Sequence, residues 1–231
     1  MVKMIAIIPA RGGSKRVPYK NIMDFNGKPM IAYTIDAAKE SGLFEHIIVS
    51  TDDEKIAEVA KNCGAEVPFL RTKYADHHST VSLATLFALD QAEEYFKEKY
   101  DIVVQLMANC PIRNSKDIQV AYENFVQKKS EAQISCFKFG FSNPWWAFTL
   151  DEDGRGTGII KDDTNKRSQD LKTLYCPTGA IWISTAKHLR KNKNFYGNHR
   201  YFEIDWKHAV DIDNYDDVEM ANVVFNMVNG K

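Results

Sequence analysis

Short, almost wholly apolar runs alternate with longer amphipathic segments along most of this chain, and that rhythm leaves few folds open. Lys3–Ile8, Ile47–Ser50, Glu66–Leu70, Ile102–Met107 and Ala132–Phe137 read as buried strands. Between them, Pro29–Ser41, Asp53–Cys63, Val81–Lys99 and Lys116–Lys128 read as helices. Pro29 suits a first helical turn and Gly42 a stop. Gly179–Ser184 and Tyr201–Asp205 read as further strands, and Tyr215–Val228 as a closing helix. Continuous apolar strands alternating with helices predict an α/β fold, a mostly parallel twisted sheet with helices on both faces. Ligands of such sheets sit beyond the carboxyl ends of the strands.

The first such end carries the most informative segment, I-A-I-I-P-A-R-G-G-S-K-R-V-P-Y-K-N, from Ile5 to Asn21. The apolar run breaks at Pro9 into a loop holding Arg11, Gly12, Gly13, Ser14, Lys15, Arg16 and Lys20. Glycines let a backbone approach a ligand closely and turn N–H groups toward phosphate oxygens, and the cations balance the charge. The loop therefore reads as a cradle for a polyanion, with an ordinary basic surface loop as the alternative. It is neither G-x-x-x-x-G-K-S/T nor G-x-G-x-x-G, which excludes a Walker loop and a dinucleotide fingerprint.

At 231 residues, 44% of them hydrophobic, the chain suits one domain spanning residues 1–231. A formal charge of −1 argues against nucleic acid as a partner. No apolar run approaches the roughly 18 residues of a membrane span, and the apolar start is too short for a signal peptide. Cys63, Cys110, Cys136 and Cys176 are scattered without a C-x-x-C, which fits a reducing cytoplasm and offers no zinc site.

Three more segments carry chemistry. Val210–Asp217 reads V-D-I-D-N-Y-D-D. Two-residue spacing puts Asp211 and Asp213 on one side of an extended segment, and a paired carboxylate next to a phosphate site reads as a Mg²⁺ site. Asp216 and Asp217 read instead as acids favoured at the start of the closing helix, and nearby His208 as structural. Met107–Arg113 follows an apolar strand; Asn109 and Arg113 suit a base edge or a carboxylate, while Ser115 reads as the cap of the next helix. Ser142–Leu174 breaks the rhythm and reads as an extended arm or hairpin. Its Trp145 and Trp146 suit a contact surface or, for one of them, the core. In the same arm Arg167 and Gln169 suit an acidic, hydroxylated substrate or a solvated loop. His77 and His78 read as surface loop.

Taken in order, these segments resemble the cytidylyltransferases that activate nine-carbon acidic sugars of the sialic, legionaminic and pseudaminic type. The resemblance runs from I-I-P-A-R-G-G-S-K-R-V-P-Y-K-N through I-I-V-S-T-D-D, N-C-P-I-R, R-S-Q-D-L and G-A-I-W-I to V-D-I-D, and so covers nearly the whole chain. It implies a Rossmann-like nucleotidyltransferase with a small extended dimerisation arm at residues 140–175. The implied activity is transfer of CMP from CTP to the sugar's anomeric hydroxyl, with release of pyrophosphate. Implied nucleotide contacts are Arg11, Gly12, Gly13, Ser14, Lys15, Asn21, Arg71 and Asn109, with Lys20 on the phosphates. Asp211 and Asp213 would hold Mg²⁺, and Arg113, Arg167 and Gln169 would face the sugar. A homodimer is implied, the exchanged arm completing the partner's sugar site. Relatives using an eight-carbon acid or another nucleotide, and a non-catalytic nucleotide-binding homologue, are the alternatives. The chain departs from the sialic acid pattern at Met107, where that pattern has Gln, and at Thr178.

Overall fold

The computed structural model describes residues 2–76, 78–140, 142–160 and 167–230. Strand β1 (Met4–Pro9) leads through the cation-rich loop to a small hairpin, β2 (Asp24–Phe25) and β3 (Lys28–Pro29), and then to α1 (Met30–Ser41). Next come β4 (His46–Ser50), α2 (Glu54–Asn62), α3 (Val81–Phe96), β5 (Ile102–Gln105), α4 (Ser115–Gln127) and β6 (Ala132–Lys138). A second hairpin, β7 (Phe148–Leu150) and β8 (Gly156–Gly158), precedes the long β9 (Tyr175–Thr185). Helix α5 (Ala186–Asn192), β10 (His199–Glu203) and α6 (Tyr215–Val228) complete the described chain.

The main sheet has the order β10-β6-β9-β5-β1-β4. All its pairings are parallel except those of β9, which runs against both β5 and β6. The mostly parallel sheet expected from the apolar runs is thus present. The strand expected at Glu66–Leu70 is not: that segment makes one parallel bridge, Ile48 to Glu66. Pro68 follows two residues later, and a proline has no N–H with which to extend a ladder.

Successive residues of β1 serve opposite faces. Met4, Ala6 and Ile8 pack with Ile31 and Ile35 of α1, Ile56 of α2 and Ile118 and Phe125 of α4. Ile5 and Ile7 pack with Ala88, Leu89 and Ala92 of α3 and Leu189 of α5 on the other face. A fully buried Ile contributes about 1.5–3 kcal/mol through removal of apolar area from water, so β1 alone is a strong anchor for the loop that follows it. Helix α6 lies elsewhere: its Ala221 and Val224 are buried, and Ala221 clusters with Phe25, Met30 and Ile212.

The helix ends have local causes. Gly42 stops α1 in the left-handed region, at φ 67°. Asp53 caps α2 by accepting from the Ile56 N–H at 2.9 Å. At α4 the cap is Asn114 rather than Ser115: its side chain accepts from the Asp117 N–H at 3.0 Å, while Asp117 accepts from the Asn114 N–H at 2.9 Å. This reciprocal pair satisfies two orphan donors at once, which Ser115 one residue later does not.

Candidate active site

The carboxyl ends of β1, β4 and β5 converge on one cleft of about 580 Å³, a volume suited to a nucleotide. Its walls carry Arg11, Ser14, Lys15, Arg16, Lys20 and Asn21 from the first loop, Arg71 beyond β4, Met107 and Asn109 beyond β5, and Asp211 and Asp213. Residues about 200 positions apart in sequence thus share one wall because parallel strands deliver all their following loops to the same edge.

The loop is tied down at several points. Asp52 Oδ1 accepts from the Gly12 N–H at 3.1 Å, and Asn21, itself buried, donates to the Arg11 carbonyl at 3.3 Å. Arg11 reaches across the cleft and donates to the Asp76 carbonyl at 3.0 Å. Asp76 in turn accepts from the N–H groups of His78 and Ser79 and from the Ser79 hydroxyl. Those bonds, the Ser79 hydroxyl first, hold its carboxyl down at about 2. Arg71 is almost wholly buried and donates to the Ser50 carbonyl at 3.1 Å, with Asp52 3.8 Å away. Burial pulls the Arg71 pKa below the ordinary arginine value, against the pull of Asp52.

At the other wall, Asn109 Nδ2 donates to Asp211 and, at 2.8 Å, to the Ile212 carbonyl, while the Ile212 N–H returns a bond to the Asn109 carbonyl at 3.0 Å. The amide nitrogen expected at a base edge is therefore engaged in positioning Asp211. Burial, and then repulsion from Asp213, push the Asp211 carboxyl up to about 6. Asp213 goes the other way. Burial raises it, but Lys20 at 2.8 Å and Arg16 at 2.6 Å prevail and hold it below its ordinary value. Asp217 accepts from the Asp213 and Asn214 N–H groups and belongs to the cap of α6, as its position in the first turn of the helix suggested.

Two hard carboxylates on a wall that also gathers phosphate-seeking cations fit Mg²⁺. That ion takes one or two carboxylates and completes its octahedron with phosphate oxygens and water. The elevated Asp211 carboxyl fits as well, since a cation between the two acids relieves both burial and repulsion. Among the described residues no third His, Cys, Asp or Glu joins them.

Other expected residues lie away from the walls. Gly12 and Gly13 belong to the loop without lining the cleft. Arg113 is buried behind it, its NH1 donating to the Ala180 carbonyl at 3.1 Å; burial brings its pKa down to about 10. A guanidinium so enclosed supports the cleft from behind instead of meeting a ligand in it. Arg167 pairs with Asp170 at 2.9 Å, and Gln169 lines a separate pocket of about 220 Å³ with Lys138, Asn143 and Lys172. Neither is brought to the main cleft within one chain. Trp145 donates to the Lys172 carbonyl at 2.8 Å, and Trp146 is exposed. His208 is bonded to Asp117, in line with a structural role. His77 and residues 161–166 of the arm lie outside the described residues. Tyr74, Asp76, Ser79 and Thr80 also line the cleft and carry no motif of their own in the sequence; the last two stand just before α3, where S-T ahead of an apolar helix is a readable cap signal.

The family model described as cytidylyltransferase matches residues 5–223. The chain belongs to the cytidylyltransferase family. Among curated cytidylyltransferases, the pseudaminic acid enzyme of Campylobacter jejuni is 36% identical over 98% of this chain and 97% of its own length. The CMP-N,N'-diacetyllegionaminic acid synthase of Legionella pneumophila is 38% identical over 84% of this chain and 83% of its own. A solved CMP:2-keto-3-deoxy-manno-octonic acid synthetase complexed with CTP shares the fold at a TM-score of 0.72. It is 17% identical over 99% of this chain and 100% of that one. Among the described residues of this cytidylyltransferase, no helix is long and apolar enough to cross a membrane.

Proposed function

We propose that this chain, acting as one domain, transfers CMP from CTP to the anomeric hydroxyl of a nine-carbon acidic sugar and releases pyrophosphate. The single observation that carries this reading is the cleft itself, where cations of the first loop gather at the Asp211–Asp213 pair. The matching relatives act on such sugars by name, at identities of 36% and 38%.

Arg11, Lys15 and Lys20 bind the triphosphate and spread the charge of the leaving pyrophosphate, with the Gly12–Ser14 backbone close behind. Asn21 keeps the loop in shape through the Arg11 carbonyl. Arg71 and Asn109 stand on the nucleoside side. Mg²⁺, when bound by Asp211 and Asp213, supplies further charge neutralisation at the phosphates. Little covalent work falls to the protein, so positioning and electrostatic stabilisation account for most of the rate. Arg167 and Gln169 face the sugar from the arm of a partner in a homodimer. The arm's exposed Phe148, Leu150 and Ile159 support that assignment. Four cysteines, all free, support residence in a reducing cytoplasm.

The test is pyrophosphate release with CTP, Mg²⁺ and a panel of nonulosonic acids, with the other three nucleotides as competitors. Release is expected with CTP and at least one nine-carbon acid. A folded sample that binds CTP and releases nothing across the panel would refute the reading.

A further inference from the structure

Asp213 is subject to two competing claims on its charge. Lys20 Nζ donates to its Oδ1 at 2.8 Å and Arg16 Nη2 to its Oδ2 at 2.6 Å, so each carboxylate oxygen carries one cation of the first loop. The same carboxylate is half of the pair that suits a divalent ion. Its oxygens keep lone pairs, but a dication placed on them stands beside two positive charges, and like charges a few ångströms apart repel strongly at a partly enclosed site. Asp211 offers no separate refuge, since it already accepts from Asn109 Nδ2.

The backbones beneath these groups are fixed. Lys20 opens a single 3₁₀ turn, and its N–H donates to the Val17 carbonyl at 3.2 Å. The Asp213 N–H donates to Asp217 Oδ2 at 2.7 Å. An exchange of partners therefore falls to the long side chains alone. Both of them line the cleft, so a triphosphate seated there lies within their reach. The two contacts are unequal: the Lys20 side chain is 13% exposed and that of Arg16 64%. A pair as open as that of Arg16 shifts an equilibrium by about fivefold at most, whereas the enclosed lysine shifts it by about tenfold or more.

We infer that Lys20, with Arg16 as its auxiliary, guards Asp213: the carboxylate pair takes a divalent cation only as a triphosphate draws these two side chains away, so that metal and nucleotide enter together. The inference rests on the cytidylyl-transfer reading of the cleft and adds a coupling between its two ligands, each favouring the other.

The probe is Mn²⁺, titrated into the protein without nucleotide and followed as free Mn²⁺ by electron paramagnetic resonance. Lys20→Ala is expected to bind Mn²⁺ about tenfold more tightly than the intact protein while binding CTP more weakly. A residue that only shaped the loop would not move the two affinities in opposite directions. Arg16→Ala, at an exposed position, tightens Mn²⁺ binding about two- to fivefold. Adding Asp213→Asn to either variant removes the gain. Arg11→Gln takes an equal charge from the same cleft, but from a side chain bonded to the Asp76 carbonyl, and moves Mn²⁺ affinity by less than about twofold at physiological ionic strength. The inference is overturned when neither Lys20→Ala nor Arg16→Ala binds Mn²⁺ more tightly, or when Arg11→Gln gains as much as they do. Pyrophosphate release by the intact enzyme separates that failure from failure of the reading beneath it. Release with CTP and a nonulosonic acid leaves the cytidylyl-transfer reading standing, and CTP binding with no release from any acceptor overturns both.

Discussion

Lys20 Nζ donates to Asp213 Oδ1 at 2.8 Å, joining the first loop to a segment 193 residues later. The lysine is mostly buried, and Arg16 adds a second, exposed contact to the same carboxylate. Without a nucleotide, Asp213 therefore holds in place a cation that a triphosphate would take over. A hydrogen bond to a charged group contributes about 1.5–3 kcal/mol, so Lys20→Ala is expected to weaken CTP binding by roughly ten- to a hundred-fold. Isothermal titration with CTP reads this directly. Equal affinity in Lys20→Ala and the intact protein would remove Lys20 from the phosphate site.

The two glycines of the loop differ in what surrounds them. A Cβ on Gly12 would stand 2.7 Å from Asp53 Oδ2 and 2.8 Å from Asp53 Cβ, while a Cβ on Gly13 meets nothing within 4 Å. Asp53 cannot retreat freely, because its Oδ1 caps α2. Gly12→Ala must therefore displace either the cap or the loop, at a cost of about 1–2 kcal/mol. Thermal unfolding is expected to show a lower Tm for Gly12→Ala and an unchanged one for Gly13→Ala. A matched pair of melting curves would show that the Gly12 contact is not restrictive.

Part of this site was legible because its chemistry is local in sequence. A strand that ends in R-G-G-S-K-R names its own edge of the sheet, and V-D-I-D before a capped helix names a carboxylate pair. The β2–β3 hairpin was also readable in principle: Asn26-Gly27 stands between its strands, both residues at positive φ, the pattern a two-residue turn demands. Residue type alone did not say which way a side chain at a strand end points. Arg113 has the charge of a substrate ligand, yet its side chain is buried and donates to the Ala180 carbonyl of β9. Nor did spacing disclose that the Asn109 amide would be engaged by Asp211, since that bond spans 102 residues. The strand expectation failed at Glu66–Leu70, where apolar character was present and Pro68 removed the donor, and β9 alone runs against its neighbours in the sheet.

The arm presents Phe148, Leu150 and Ile159, each more than half exposed, on a hairpin whose strands are three residues long. A lone hairpin of that size is at best marginally stable in water, and its apolar side chains call for a covering surface. With a second copy as the cover, Leu150→Glu is expected to convert a dimer into a monomer and to lower turnover through loss of the partner's Arg167 and Gln169 side. Light scattering on both proteins decides it. A monomeric intact protein, or a dimer untouched by Leu150→Glu, excludes the arm as the dimer contact.

His208 and Asp117 give the stability of this protein a defined pH dependence. Asp117 accepts from the Asn114 N–H in the cap of α4 and also lies 2.8 Å from His208 Nδ1, on the segment leading to Asp211. That hydrogen bond, opposed by burial and helped by the charges of Asp117 and Asp205 against Lys207, raises the His208 pKa above its ordinary 6.5. A raised value in the folded state means that protonated His208 stabilises the fold. The contribution is complete below the ordinary histidine value and is lost as pH rises through the folded one. Both side chains are mostly buried, so the pair is worth about 1 kcal/mol, or roughly 2–4 °C in Tm for a chain of this size. His208→Gln should therefore melt below the intact protein near pH 5.5, with the gap narrowing steadily toward pH 9. Asp117→Asn should melt lower at every pH, because it also weakens the cap of α4. A gap for His208→Gln that stays constant from acid to base would show that the pair carries no proton-linked stability.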